Sequence, residues 1–207
     1  MAQKTDGLHA VLSHPRIYDL LQNILGARHS RTRLISDHIR PKPGDRILDI
    51  GCGTGELLAQ LPADVDYIGF DLSQSYIDAA RSRHGARARF ECMDVADYRK
   101  NGAGDQADLV LAIGILHHLD DHHARALMRT AHDALKPGGR FISIDGTWVS
   151  GQSPIARALI SRDRGKSIRT PDAYRDLATA TFEKVSGRVR NDMLYVPYTH
   201  YIMECSR

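Results

Sequence analysis

Cysteine is scarce in this chain, and Cys52, Cys92 and Cys205 are odd in number, far apart and without CxxC spacing. That pattern excludes a disulfide framework and argues against zinc or redox chemistry built on paired thiols, so reduced thiols in a cytoplasmic protein are expected. Long apolar runs are missing too: none approaches the ~20 residues that cross a bilayer, and the opening MAQKTDGLHA has no apolar core of a secretory signal. A membrane is therefore not expected as a partner. Charge of one sign is also lacking. The formal net charge is +3, too mild for wholesale duplex binding, and no nucleic-acid reading element or aromatic-basic interleaving accompanies it, so nucleic acid is not expected either.

What is present fits one globular domain with a sizeable core, since 42% of the 207 residues are apolar and 26% charged. The charges are unevenly spread. Residues 41–156 carry 12 basic and 16 acidic side chains, whereas 157–190 carry 9 basic and 4 acidic. This later cationic segment suits an anionic small substrate or a surface contact, and equally a solvated charged face.

Residues 1–40 read as a helical cap: HPRIYDLLQNILG puts Ile17, Leu20, Leu21, Ile24 and Leu25 on one face with Gly26 as a stop, and RTRLISDHIR is a second helix ended by Pro41 and Pro43. From 41 to 146 short apolar runs alternate with helical stretches. RILDI, DYIGFD, ARFECMDV, ADLVLAIGIL and RFISID read as strands; GELLAQL, SQSYIDAARSRH (capped by Ser73) and a segment capped by Asp120 or Asp121 and running to about Leu135 read as helices. Strand-helix repetition predicts an α/β fold with a parallel, doubly wound sheet. Residues 147–181, polar and punctuated by Pro154, Gly165 and Pro171, read as a lid-like insertion with one or two short helices. FEKVSGRVR and THYIMECS, within 182–207, predict a terminal antiparallel hairpin.

In RILDIGCGTGELL, Gly51, Gly53 and Gly55 follow the first strand, where an open parallel sheet cradles its ligands. A dinucleotide is a poor match. Asp71, 20 residues beyond Gly51, suits ribose hydroxyls, but Glu56 stands where the GxGxxG fingerprint needs glycine or alanine. Asp49, just before the loop, would face a pyrophosphate badly and can meet an ammonium group. The implied ligand carries ribose and a cation without phosphate.

LDIGCGTG resembles the DxGxGxG signature of class I S-adenosylmethionine-dependent methyltransferases, and FDLS, CMDV, LAIGILHHL and LKPGGRFISID continue the likeness in order over roughly residues 42–146. The overall look is of small-molecule methyltransferases related to those of quinone biosynthesis. The resemblance implies seven strands in the order 3-2-1-4-5-7-6, the last antiparallel, and S-adenosyl-L-methionine as cofactor. It implies cofactor contacts from Asp49, Gly51, Cys52, Gly53, Gly55, Asp71, Leu72, Met93, Asp94, Val95 and Ile113, with Asp71 on the ribose and Asp94, flanked by Met93 and Val95, on the adenine. Neither NPPY nor DPPY follows the fourth strand, where AIGI stands, which argues against methylation of base amino groups or protein glutamine.

Methyl transfer needs a positioned nucleophile and a group to take its proton. His117 and His118 end the fourth strand in this reading, with at most one entering the pocket because adjacent strand residues face opposite ways. His117 is preferred: phosphoethanolamine methyltransferases show a similar ILH segment, whose histidine pairs with a tyrosine on an N-terminal helix, here Tyr18. The alternative is that His117 bonds a loop carbonyl and Tyr18 only packs. His118, His122 and His123 with Asp120 and Asp121 read as a polar helix start, and no metal is expected. Arg162, Arg164, Lys166 and Arg169 are candidates to clamp a phosphate or carboxylate, or to pair with Asp163 and Asp172 in a solvated lid. Tyr195, Tyr198 and His200 are further pocket candidates. The function expected is methyl transfer to oxygen or nitrogen of a small molecule, an anionic one being suggested by the cationic segment. The alternatives are a non-methylating enzyme using the same cofactor, and a catalytically silent partner subunit.

Overall fold

A computed structural model describes residues 25–94, 97, 106–163 and 165–207. Seven strands form one sheet: β1 Arg46–Ile50, β2 Asp66–Asp71, β3 Arg89–Cys92, β4 Ala107–Ile113, β5 Leu135–Gly146, β6 Lys184–Arg190 and β7 His200–Ser206. Their order is β3-β2-β1-β4-β5-β7-β6. The first five run parallel, and β7 lies antiparallel to both β5 and β6. This is the order the resemblance implies.

Helices cover both faces, which is why the central strands are apolar on both sides rather than alternating. Leu48, Ile50, Ile68, Phe70 and Val110 meet α3 (Asp121–Ala134) through Leu127, Met128 and Ala131, and α5 (Pro171–Thr179) through Tyr174 and Leu177. Ile47, Tyr67, Leu109, Leu111 and Ile142 on the opposite face pack with Leu34 of α1 (Ala27–Leu34), and with Ile77 and Ala80 of α2 (Gln74–His84). Ser73 caps α2 and Asp120 caps α3, each side-chain oxygen accepting from the backbone three residues on. The insertion after β5 contains α4 (Pro154–Ser161) and α5. No described helix is long and apolar enough to cross a membrane.

Three local expectations are corrected. GELLAQL forms only a short 3-10 turn, Leu58–Gln60, because Leu61, preceding Pro62, is extended and stops the coil. The second helix of the cap begins at Ala27 rather than at Arg31: Gly26, at φ +99°, precedes it and lets the backbone of Tyr195 approach, and α1 continues through a wider turn, Ile35–Ile39, to Arg40 at φ +47°, while the helix expected from HPRIYDLLQNILG lies, up to Ile24, outside the described residues. His117 and His118 lie on a 3-10 turn, Leu116–His118, beyond β4. That turn does not send neighbours to opposite faces, and the two rings sit 4.1 Å apart.

A cavity of about 380 Å³ lies against β6, lined by His38, Arg188, Arg190 and Glu204 among others, away from the strand ends where the sequence motifs converge. Its walls are occupied with one another, His38 Nδ1 with Glu204 at 2.7 Å and Arg190 with Asp37 at 3.2 Å. It offers no chemistry comparable to the strand ends.

Candidate active site

Parallel strands bring their carboxyl ends to one edge, and β7, running antiparallel, begins at that same edge, with His200 opposite Gly146. The first cluster stands on β1 and β2. Asp49 points to the same face as Ile47 and is 2% exposed. Its Oδ2 accepts from Tyr67 Oη at 2.5 Å, while buried Oδ1 has no partner among the described residues. Burial raises its pKa to about 7, opposed by the Tyr67 hydrogen bond and reinforced by the charge of Asp71. A buried carboxylate with a vacant oxygen is suited to a cation.

The glycine loop curls beside it. Gly51 and Cys52 donate to Phe70 O at 2.8 and 2.9 Å. A Cβ on Gly51, at φ +76°, would fall 2.6 Å from Ile115 Cδ1, whereas Gly53, at φ +55°, faces open space. The loop thus leaves bare backbone where a ligand can approach. Asp71 fastens it, Oδ2 accepting from Gly53 N at 3.1 Å and Oδ1 from Ser73 N at 2.8 Å. A carboxylate oxygen can accept two hydrogen bonds, so capacity for hydroxyl groups is left. Burial raises the pKa of Asp71 against these backbone bonds. Leu72 is exposed, an apolar platform next to the carboxylate. Met93 is half-buried with its N–H on Asp71 O, Asp94 is exposed at the surface, and Ile113 is half-buried on the side of Ile47 and Leu111. Cys52 packs by its sulfur against Gly69, and burial raises its thiol pKa, so it is inert packing in the loop. Glu56, where a dinucleotide fold would have glycine, is ion-paired with Arg31 at 3.1 Å and with Arg83, tying the loop to α1 and α2.

The second cluster follows β4 and β5. His117 Nδ1 lies 2.8 Å from Asp145 Oδ1, which also accepts from His117 N at 3.1 Å. Nε2 faces Asp163 Oδ1 at 3.4 Å, an ion-pair distance, and Tyr198 Oη donates to Asp163 Oδ2 at 2.7 Å. Burial alone would lower the His117 pKa, but Asp145 and Asp163 outweigh it and raise it to about 9. The two carboxylates therefore favour the protonated imidazolium form. His200 stays neutral, its pKa lowered to about 4 by burial and by the charge of His117. Sequence reasoning missed Asp145 as the fixing carboxylate. The signal was the last residue of FISID, an acid closing an apolar strand beside the segment that carries the histidines.

The Arg-rich segment is placed differently for each residue. Arg169 is built in, with a side chain 9% exposed. Its guanidinium donates to Leu116 O at 3.0 Å, Ser167 O at 2.9 Å, Leu119 O at 2.7 Å and Asp121 Oδ1 at 2.8 Å, so no donor face is left for a substrate. Arg162 and Lys166 are exposed. Tyr195 is 70% exposed and packs on His29. His123 is spent on Asp120 at 2.8 Å. Tyr18, Val95 and Arg164 lie outside the described residues.

Residues 47–139 match the family model of a methyltransferase domain. Phosphoethanolamine N-methyltransferase 3 of Arabidopsis thaliana is 31% identical over 166 residues, 78% of this chain and 33% of that protein. The ubiquinone biosynthesis O-methyltransferase of Ruegeria pomeroyi is 38% identical over 109 residues, 48% of this chain and 40% of that protein. The chain thus spans well under half the length of these curated relatives. A solved S-adenosylmethionine-dependent methyltransferase from Archaeoglobus fulgidus superposes with a TM-score of 0.73 at 17% identity, over 92% of this chain and 99% of that one, and shares the fold. With its sheet order, its glycine loop and these matches, the chain carries a methyltransferase domain over residues 47–139 and has the fold of the solved S-adenosylmethionine-dependent methyltransferase.

Proposed function

We propose that the protein transfers a methyl group from S-adenosylmethionine to oxygen or nitrogen of a small, anionic molecule. The observation that carries this reading is the pairing of two clusters on one sheet edge: a vacant buried carboxylate oxygen beside bare glycine backbone, and a histidine fixed by a buried carboxylate. The described residues fit the cofactor. Asp49 Oδ1 suits its ammonium group, the spare lone pairs of Asp71 suit the ribose hydroxyls, and Leu72 offers an apolar surface to the base. In this reading Met93, Asp94 and Ile113, at or just beyond the ends of β3 and β4, are further cofactor contacts. When bound, the cofactor supplies an electrophilic sulfonium methyl. The chain's part is to hold the acceptor in line, exclude water and manage one proton. Asp145 fixes the imidazole of His117 through Nδ1, so that Nε2 is the atom offered to the acceptor.

His117→Asn is expected to keep the affinity for S-adenosylhomocysteine within about threefold and to lower turnover about 100-fold or more, the usual cost of removing a preorganised donor aimed at the reacting oxygen. The assay is release of S-adenosylhomocysteine against a panel of small phenols, carboxylic acids and amines. Wild-type turnover in the variant would overturn the role of His117. Cofactor consumption without a methylated product would point instead to a non-methylating enzyme.

A further inference from the structure

Asp163 follows α4 and comes back over the turn that carries His117. Gly165 makes that return possible: a Cβ there would lie 2.2 Å from His117 Cδ2 and 2.7 Å from His117 O. Ser167 N donates to His117 O at 2.9 Å, so the backbone on this side is pinned to the histidine turn. The Asp163 carboxylate touches the histidine less closely than Asp145 does. Its contact with Nε2 is 3.4 Å against 2.8 Å on Nδ1, and its other partners are Gly165 N at 2.9 Å and Tyr198 Oη at 2.7 Å. Two donors, His117 Nε2–H and Tyr198 Oη–H, therefore converge on one carboxylate at the ends of β4, β5 and β7.

We propose that Asp163 is a built-in stand-in for the acceptor, its carboxylate resting between His117 Nε2 and Tyr198 Oη where the anionic oxygen of an acidic acceptor, a phenol or a carboxylic acid, sits during methylation. This rests on the methyltransferase reading and narrows its acceptor to oxygen. The donor pair is the reason: with Asp163 displaced, the site offers two hydrogen-bond donors, and an arriving oxyanion restores the opposite charge that keeps the imidazole protonated, whereas an ammonium group has nothing there to donate to. The other groups around His117 do not change that sign. Asp145 on β5 pairs with Nδ1, the His118 ring lies tilted beside it, His200 at the start of β7 is neutral, Tyr174 of α5 donates to Gly146 O, and Arg169 donates to Leu116 O.

The exchange balances. An acceptor that arrives as an anion replaces one carboxylate by another oxyanion; one that arrives as a neutral hydroxyl or acid releases its proton to solvent. His117 keeps its proton in both cases. In the transfer, the acceptor oxygen forms its bond to the methyl carbon as the sulfur–carbon bond breaks, with the electron pair left on sulfur. The resulting ether or ester is neutral at that oxygen and no longer pairs with the imidazolium, so Asp163 returns and the product leaves.

The test needs no acceptor and no cofactor. In protein labelled with [15N]histidine, the His117 ring nitrogens are followed by NMR as pH is raised. Asp163→Ala, checked by Asp163→Asn, is expected to lower the His117 titration midpoint by about one unit or more, the effect of losing an opposite charge at this range. Formate or 4-cyanophenol added to Asp163→Ala should restore the midpoint, while neither shifts it in the wild type, where the carboxylate is already in place. Restoration by 4-cyanophenol at lower concentration marks a phenolic acceptor; restoration by formate alone marks a carboxylic acid. An unchanged midpoint in both variants, or a lowered midpoint that neither probe restores, overturns the proposal. Failure of the methyltransferase reading is separate: it shows as no binding of S-adenosylhomocysteine in calorimetry and leaves the NMR outcome standing.

Discussion

Asp49→Asn is expected to weaken binding of S-adenosylhomocysteine by at least about 30-fold while making the cofactor-free protein less sensitive to high pH. The first effect follows from losing one partner of a buried charge pair, typically 2–5 kcal/mol, with each ~1.4 kcal/mol worth tenfold. The second follows from the same burial. Asp49 is raised to about 7 in the folded state from an ordinary 3.8, chiefly because burial disfavours its charge. Between those values the folded protein holds a proton that the unfolded chain has released. Stability therefore falls as pH rises from about 4 to about 7, at up to ~1.4 kcal/mol per pH unit for this one group, and the cost persists above pH 7. Asn carries no charge and removes that dependence. Thermal unfolding of both proteins between pH 5 and 8 should show the wild type losing ground steadily as pH rises. Parallel pH curves would mean that Asp49 is not the strained group its burial makes it. Undiminished affinity in the variant would remove Asp49 from the cofactor site.

Arg169→Ala is expected to cost about 3 kcal/mol or more, a fall in Tm of roughly 6–12 °C for a domain of this size. The guanidinium serves the carbonyls of Leu116, Leu119 and Ser167 and the Asp121 carboxylate, and its own carbonyl accepts from Thr147 Oγ1 at 2.8 Å and Trp148 N at 3.2 Å. It therefore ties together the turn that carries His117, the start of α3 and the end of β5. Truncation leaves those carbonyls without their donor, each a penalty of about 1–3 kcal/mol where water cannot enter. Arg169→Lys should recover little, because one ammonium cannot reproduce a planar fork with several partners. Calorimetric unfolding reads the loss directly. A variant of normal Tm whose only defect is a raised KM would restore Arg169 to the substrate clamp considered from its sequence context.

The sheet was legible because its information is local and repeated: RILDI, DYIGFD and ADLVLAI are continuous apolar runs, Ser73 and Asp120 are caps, and the two terminal strands have only a loop between them. The glycine loop was legible for the same reason, since its residues are consecutive. The histidine cluster was not. His117 meets Asp145 across 28 positions of chain, and Tyr198 meets Asp163 across 35. Nothing near Asp163 in sequence distinguishes it from a lid carboxylate pairing with neighbouring arginines. Arg169 was misleading for a related reason, because an arginine among arginines looks solvated until the fold brings four acceptors around it. The short turn at Leu58–Gln60 shows the opposite case, in which Pro62 overrode a helical pattern.

The central claim is that a sulfonium nucleoside lies across the carboxyl ends of β1, β2 and β4. Its most direct test is amide NMR of the wild-type protein titrated with S-adenosylhomocysteine. The account predicts saturable shifts centred on Gly51, Gly53, Leu72 and Ile113, with the cavity residues Arg188 and Arg190 unmoved. Absence of any shift at millimolar ligand, or shifts confined to the β6 cavity, would contradict it.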